Sequence, residues 1–124
     1  MAGRTPADTV AQLIAAINRQ DVESALALYE SDAVLMAEPG KPARGRAAIR
    51  AALEGFIALR PTLTGETHRT IQAGDVAQFS STWKLQGTAP DGKSVQMGGT
   101  SLDVLRRQAD GTWLLAIDNP WGTV

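Results

Sequence analysis

An α+β fold, with a curved antiparallel or mixed sheet wrapped around three N-terminal helices, is what the order of elements in this chain predicts. Three observations carry that expectation. Helical periodicity is confined to residues before 58. Long period-two stretches follow over 76–86, 94–107 and 112–119. Asp91-Gly92 and Asp110-Gly111 then join those stretches as hairpins. A length of 124 residues suits a single domain over 1–124, and 44% hydrophobic content leaves enough apolar mass for a core.

The first helix starts at Thr5-Pro6-Ala7-Asp8. Thr5 suits the cap, Pro6 the first helical position, and Asp8 the place of a capping-box acid. Val10, Leu13, Ile14 and Ile17 then fall on one apolar face. Asp21 caps a second, short helix with Val22, Ala25, Leu26 and Tyr29 inward. Ser31-Asp32 turns the chain into a first strand over 33–37. Glu38-Pro39-Gly40-Lys41-Pro42 ends that strand, because Pro and Gly punctuate the segment. A third helix over 46–57 turns Ile49, Ala52, Leu53, Phe56 and Ile57 inward.

Strands take over from Pro61. Residues 62–72, rich in Thr, read as a half-exposed strand. Ala77, Phe79, Ser81, Trp83 and Leu85 alternate with polar residues along the next. In the strand 94–107, Gly98-Gly99 marks a bulge or sharp bend. The last strand runs into Asp118-Asn119-Pro120-Trp121 and leaves a carboxylate and an indole near the mouth of the hollow that such a sheet encloses.

Composition narrows the function classes. The formal net charge of −1 lacks the basic footprint of a nucleic-acid binder, and the adjacent pair Arg106-Arg107 reads as a solvated strand end. The absence of cysteine excludes disulfides, thiolate metal sites and Cys nucleophiles. One histidine excludes a multi-His metal site. No stretch approaches the ~20 apolar residues of a membrane span, and Met1-Ala2-Gly3-Arg4-Thr5-Pro6 lacks a signal peptide's apolar run. No membrane partner and a cytoplasmic location are therefore expected. Phosphate loops, nucleophile elbows and His-Glu-x-x-His are absent.

Three local patterns carry a family resemblance. One is Ala15-Ala16-Ile17-Asn18-Arg19-Gln20-Asp21, followed by Ala27-Leu28-Tyr29-Glu30-Ser31-Asp32-Ala33. The second is Gly45-Arg46-Ala47-Ala48-Ile49-Arg50. The third runs from Leu102-Asp103-Val104-Leu105-Arg106-Arg107 through Asp110-Gly111-Thr112-Trp113 to Asp118. In this order they span almost the whole chain, which resembles the nuclear transport factor 2-like superfamily. That superfamily includes ketosteroid isomerases, SnoaL-like cyclases and bacterial homologues without an assigned activity. The resemblance implies a cystatin-like cone whose bent sheet wraps a pocket, and a homodimer through the sheet's outer face. It implies no cofactor. The roles it implies range from isomerases, cyclases, epoxide hydrolases and dehydratases to non-catalytic transport and association modules.

Carried over residue by residue, the isomerase machinery matches this chain in part. Leu13 stands where the isomerase has an oxyanion-stabilising Tyr in the first helix. Ala37, or Glu38 one position on, stands where it has an Asp base. Asp103 matches its second carboxyl, a protonated acid that donates to the oxyanion; ketosteroid isomerase is a standard illustration of such a group.

The candidate catalytic residues are Asp118, Asp103 and Glu38. Asp103 shares a strand face with Met97, Ser101 and Leu105; facing a pocket it would be desolvated and suited to general-acid work, facing outward it would be a solvated charge. Asp118 is expected on the opposite face from Trp113, Leu115 and Ile117. It reads either as an acid/base group or as an anchor for the backbone around Asn119-Pro120. Glu38 sits in a loop at the pocket mouth, as a base or an exposed charge. The candidate ligand-binding residues are Trp83, Tyr29, Met36, Phe79, Met97, Trp121 and His68. Each has a plainer alternative: core packing for the apolar and aromatic side chains, a surface position for His68. The expected partner is a small apolar or polycyclic molecule. Two readings follow, a cofactor-free acid/base enzyme or a non-catalytic binding or dimerisation module.

Overall fold

The structure, a computed structural model, describes residues 2–123. Three helices, α1 (Pro6–Asn18), α2 (Val22–Leu26) and α3 (Gly45–Ile57), lie with six strands: β1 (Tyr29–Glu38), β2 (Lys41–Arg44), β3 (Thr62–Ala73), β4 (Val76–Thr88), β5 (Ser94–Arg107) and β6 (Trp113–Asp118). The sheet order is β2-β1-β6-β5-β4-β3. The β1–β6 pair is parallel and every other neighbour antiparallel, so the sheet is mixed. The expected α+β architecture is the one observed. No helix among the described residues is long and apolar enough to cross a membrane.

The local chemistry follows the sequence closely. Thr5 accepts the Asp8 backbone N–H at 3.1 Å, and Pro6 opens α1 where its missing N–H costs nothing. Asp21 caps α2 by accepting from the Ser24 backbone N–H at 3.1 Å. Val10, Leu13 and Ile17 of α1 and Ile49 and Leu53 of α3 pack with Leu35, Phe79, Leu105 and Leu115 of the sheet. Burying a side chain such as Leu53 contributes about 1.5–3 kcal/mol. That core occupies one face of the sheet. Ile71, Val76 and Ile117 remain exposed on the strands.

Several expectations need correction. Pro42 does not prevent pairing: residues 41–44 form β2, a short strand at the sheet edge, where a missing N–H is tolerated. Tyr29 does not belong to the second helix but starts β1, with Ser31 and Asp32 absorbed where the β1–β6 register slips between Tyr29 and Val34. Gly98-Gly99 makes no bulge, for the β4–β5 ladder pairs Lys84 with Gly98 and Trp83 with Gly99 without a break. Those glycines serve close approach instead. A Cβ on Gly99 would sit 3.2 Å from the Pro120 carbonyl oxygen and 3.5 Å from the Trp83 indole nitrogen.

The bulge lies in β6. Leu105 pairs with Leu115 and Val104 with Ile117, which leaves Ala116 as the extra residue. Beyond it the alternation is inverted. Ile117 turns outward, 43% exposed, and Asp118 turns inward. Asp118 therefore shares the inner face with Trp113 and Leu115, opposite to the face that strict alternation predicts.

Candidate functional site

Between the inner face of the sheet and helices α1 and α3 lies a cavity of about 90 Å³, open to solvent on one side. Leu13 and Ile17 of α1, Leu53 and Phe56 of α3, and Leu35, Leu63, Trp83 and Leu85 of the strands are among the apolar and aromatic side chains of its wall. Polar side chains reach it in two places. Tyr29, Asp103 and Asp118 lie together, and Ser81 and Ser101 form a second polar spot along β4 and β5.

Three elements bring the first group together. Tyr29 begins β1, and Asp118 ends β6 just past the bulge that turns it inward. Asp103 comes from the middle of β5. The Tyr29 hydroxyl donates to Asp118 Oδ2 over 2.5 Å, a short charge-assisted bond. Asp103 Oδ1 accepts the Asn119 backbone N–H at 2.8 Å. The carboxyls of Asp103 and Asp118 also hydrogen-bond to one another. Asp103 is 4% exposed and Asp118 8%, so neither charge is shielded by water.

Among the described residues no cation forms an ion pair with either carboxyl, and that bears on where the proton sits. Burial pushes the Asp103 carboxyl well above the usual carboxylate range, and the charge of Asp118 pushes it further. Burial also raises Asp118, but the bonds it accepts from Tyr29 and Asp103 oppose the rise. The pair therefore carries one proton, held by Asp103, and the charge sits on Asp118. Burial, with the neighbouring charge of Asp118, lifts Tyr29 well above the ordinary phenol value, so it stays protonated and donates. The result is one base with two proton donors aimed at it, beside an apolar hollow.

The remaining sequence candidates separate clearly. Trp83 lines the cavity, and its indole N–H donates to the Pro120 carbonyl at 2.7 Å. Trp121 packs edge-on against Trp83 at 5.3 Å between ring centroids, outside the cavity wall. Phe79 is fully buried core and pairs with Asp103 across β4–β5. Met36 and Met97 are half-buried, opposite Pro42 and Leu85, and do not line the hollow. His68 is exposed on β3, its ring bonded to the Thr82 hydroxyl at 2.7 Å. Glu38 is exposed at the β1–β2 hairpin and pairs with Lys41 at 3.0 Å. Glu38 and His68 thus lie away from the cavity wall, because both project from the sheet into water.

Sequence reasoning passed over Ser81 and Ser101 as site residues. The signal was present: Ser81 alternates in phase with Phe79 and Trp83, and Ser101 with Asp103. Leu13, which replaces the isomerase tyrosine in the resemblance, does line the cavity, but as wall. The hydroxyl at this site comes instead from Tyr29.

The model of the SnoaL-like domain family matches residues 10–115. No curated protein matches the chain. Among solved structures, a ketosteroid isomerase-like protein from Erwinia carotovora atroseptica is 26% identical over 88% of this chain and 86% of its own, with a TM-score of 0.75. A protein from Catenulispora acidiphila, solved in complex with S-DNPA, is 25% identical over 88% of this chain and 84% of its own, with a TM-score of 0.69. A nuclear transport factor 2-like superfamily protein from Salmonella enterica is 15% identical, with a TM-score of 0.78 over 93% of this chain and 88% of its own, a likeness of fold alone.

Proposed function

The chain belongs to the SnoaL-like domain family, within the nuclear transport factor 2-like superfamily, and from that membership we propose that it binds a small, mainly apolar carbonyl compound and moves a proton on it without a cofactor. The observation that carries this reading is the Tyr29–Asp118–Asp103 cluster, one carboxylate and two donors at an otherwise apolar hollow. Asp118 takes a proton from the carbon beside the carbonyl. The hydroxyl of Tyr29 and the protonated carboxyl of Asp103 then turn to the substrate oxygen, where the negative charge of the enolate collects. Loss of both donors as they turn makes Asp118 the stronger base for that abstraction, and the neutral acid it becomes then gives the proton to a second carbon of the enolate. Burial raises the pKa of Asp118 from its ordinary value, and a base so raised binds a proton more readily.

The cavity bears on the ligand's size. At about 90 Å³ it is smaller than the ~150 Å³ pocket that holds benzene in an engineered core. Of the two partners expected from sequence, a small apolar molecule, as a single small ring or a short chain, suits it better than a polycyclic one. A homodimer through the outer sheet face belongs to the same reading, since exposed Ile71, Val76 and Ile117 lie on that side by strand alternation. A monomeric mass by light scattering would remove the dimer alone.

Cyclohex-3-enone serves as a test substrate, with the rise in ultraviolet absorbance of conjugated cyclohex-2-enone as readout. The expected result is a rate above buffer that depends on Asp118. Binding of the ketone without turnover would favour a non-catalytic ligand module. That alternative has its own support, because Tyr29 and Asp103 are already satisfied by Asp118.

A further inference from the structure

Ser81 and Ser101 are two buried hydroxyls in the cavity wall, separate from the carboxyl cluster, and the proton-transfer reading gives them no work. They pair directly across β4 and β5, in register, and are 7% and 4% exposed. Their Oγ atoms lie 2.7 Å apart, and Ser101 Oγ is 3.4 Å from the Ser81 carbonyl oxygen. Both line the cavity.

Hydrogen-bond arithmetic shows what the pair offers. Two hydroxyls carry two donors, and their mutual bond uses one. If Ser101 donates to Ser81, the hydroxyl hydrogen of Ser81 has no protein acceptor among the described residues. If Ser81 donates, Ser101 has only the long contact to the Ser81 carbonyl. The first arrangement leaves one donor for a molecule in the hollow, the second leaves Ser101 only a long bond that a ligand oxygen could replace, and both leave free lone pairs. Alanine at both positions would pack the wall without this cost, since buried hydroxyls lose solvation that only a partner restores.

Position adds a distance. Ser101 and Asp103 lie two residues apart on the same face of β5, about 7 Å along the strand. We propose that Ser81 and Ser101 form a second polar subsite, so that the ligand of this cavity carries two oxygen functions. One faces Tyr29, Asp103 and Asp118; the other, a carbonyl or hydroxyl oxygen, is held by the serine pair. This inference rests on the carboxyl cluster as the first binding point. It deepens that reading by naming the ligand class: a small difunctional oxygen compound rather than a simple ketone.

Cyclohexane-1,4-dione and cyclohexanone are a matched pair of probes, and titrations of the ¹⁵N-labelled full chain read both affinity and place. The expected result is that the dione binds about fivefold more tightly than the monoketone, the scale of one hydrogen bond. That advantage, read as the ratio of the two affinities within each protein, disappears in Ser101→Ala and in the double variant Ser81→Ala/Ser101→Ala. The double variant leaves no hydroxyl stranded, and its amide spectrum reports that the fold is kept. If both ketones shift amides near Asp103 and Asp118 but bind equally, or if the dione keeps its advantage in the double variant, the subsite is overturned and the carboxyl cluster stands. If neither ketone shifts any amide near the cavity, both readings fall.

Discussion

The sequence offers acids for catalysis in two regions, and the two differ in nearly every physical respect. Glu38 at the β1–β2 hairpin lies in water beside the Lys41 ammonium, 3.0 Å away, with 62% of its side chain exposed. Asp103 and Asp118 lie on the inner face of β5 and β6, buried, with each other and Tyr29 for partners. In the hairpin, water and a cation stabilise the charge, so the charge has little chemical leverage. At the inner face, two acids must share one proton, and that proton becomes available to a third molecule. Identity of side chain does not set proton affinity here; removal of water and of countercharge does.

The sharpest way to break this contrast is at Asp118. Asp118→Asn keeps the shape and the Tyr29 contact but removes the base. Turnover of cyclohex-3-enone is expected to fall by about 10²–10⁴-fold, the usual range for a lost general base. The fold should survive, because the change also removes a buried charge. Wild-type rates in this variant would take Asp118 out of the chemistry.

Tyr29→Phe probes the same cluster through its donor. The ring still fills its fully buried place in the core, but the 2.5 Å bond is lost. Stability at neutral pH is expected to drop by about 1.5–3 kcal/mol, as for a hydrogen bond to a charged group. Asp118 should then titrate at higher pH, since the Tyr29 bond is what opposes its rise. Urea unfolding reads the first effect and carboxyl-carbon NMR the second. An unmoved Asp118 titration would mean that the hydroxyl does not bond the charged form.

The pH dependence of stability separates the buried pair from hydrogen-bonded acids at the surface by sign. Burial raises the folded pKa of Asp103 above the unfolded value of ~3.9. Between those two values the folded state binds more protons than the unfolded one. Its contribution is therefore complete below the unfolded pKa and is lost as pH rises through the folded one. Exposed acids behave oppositely. Hydrogen bonds from Ser24 hold Asp21 low, an Arg50 hydrogen bond holds Glu23 low, and Thr112 does the same for Asp110. Their contributions are present above the unfolded pKa and are lost as pH falls through the folded one. Above the unfolded carboxylate pKa the inner pair is the part that titrates, so the Tm of the wild type should decline as pH rises through the folded pKa of Asp103. Asp103→Asn, which mimics the protonated acid, should flatten the slope. A slope unchanged in the variant would place the proton elsewhere.

Much of this was legible in the chain, for reasons that particular residues make plain. Helix α1 announces itself through Thr5, Pro6 and the spacing of Val10, Leu13 and Ile17, all local signals. Strand β5 could be read to the residue, and with it the company of Ser101, Asp103 and Leu105 on one face. What was not legible depends on partners distant in sequence. The β6 bulge at Ala116 is fixed by pairing with Leu105 and Val104, and it alone turns Asp118 inward. Tyr29 reads as the end of a helical stripe, yet its parallel alignment beside Leu115 brings it to Asp118, 89 residues away. Strand β2 was hidden by Pro42, whose cost vanishes at a sheet edge.

Glu38→Gln gives the smallest expected effect and the most direct control on the contrast. The sequence resemblance makes Glu38 a candidate for the base, one position from where an isomerase aspartate would stand. The structure gives it only Lys41, across a hairpin whose two charged side chains are 75% and 62% exposed. A pair so open to water holds two flexible side chains in place against their own entropy, and its net worth lies near zero. Replacing Glu38 by Gln should leave stability within about 0.5 kcal/mol and the enone rate within about twofold of wild type. The corresponding substitution at Asp118, to Asn, is expected to lower the rate by about 10²–10⁴-fold. If the two variants behaved alike, burial would not be what distinguishes these acids. Opening of the β1–β2 hairpin over the cavity would then have to bring Glu38 to the substrate.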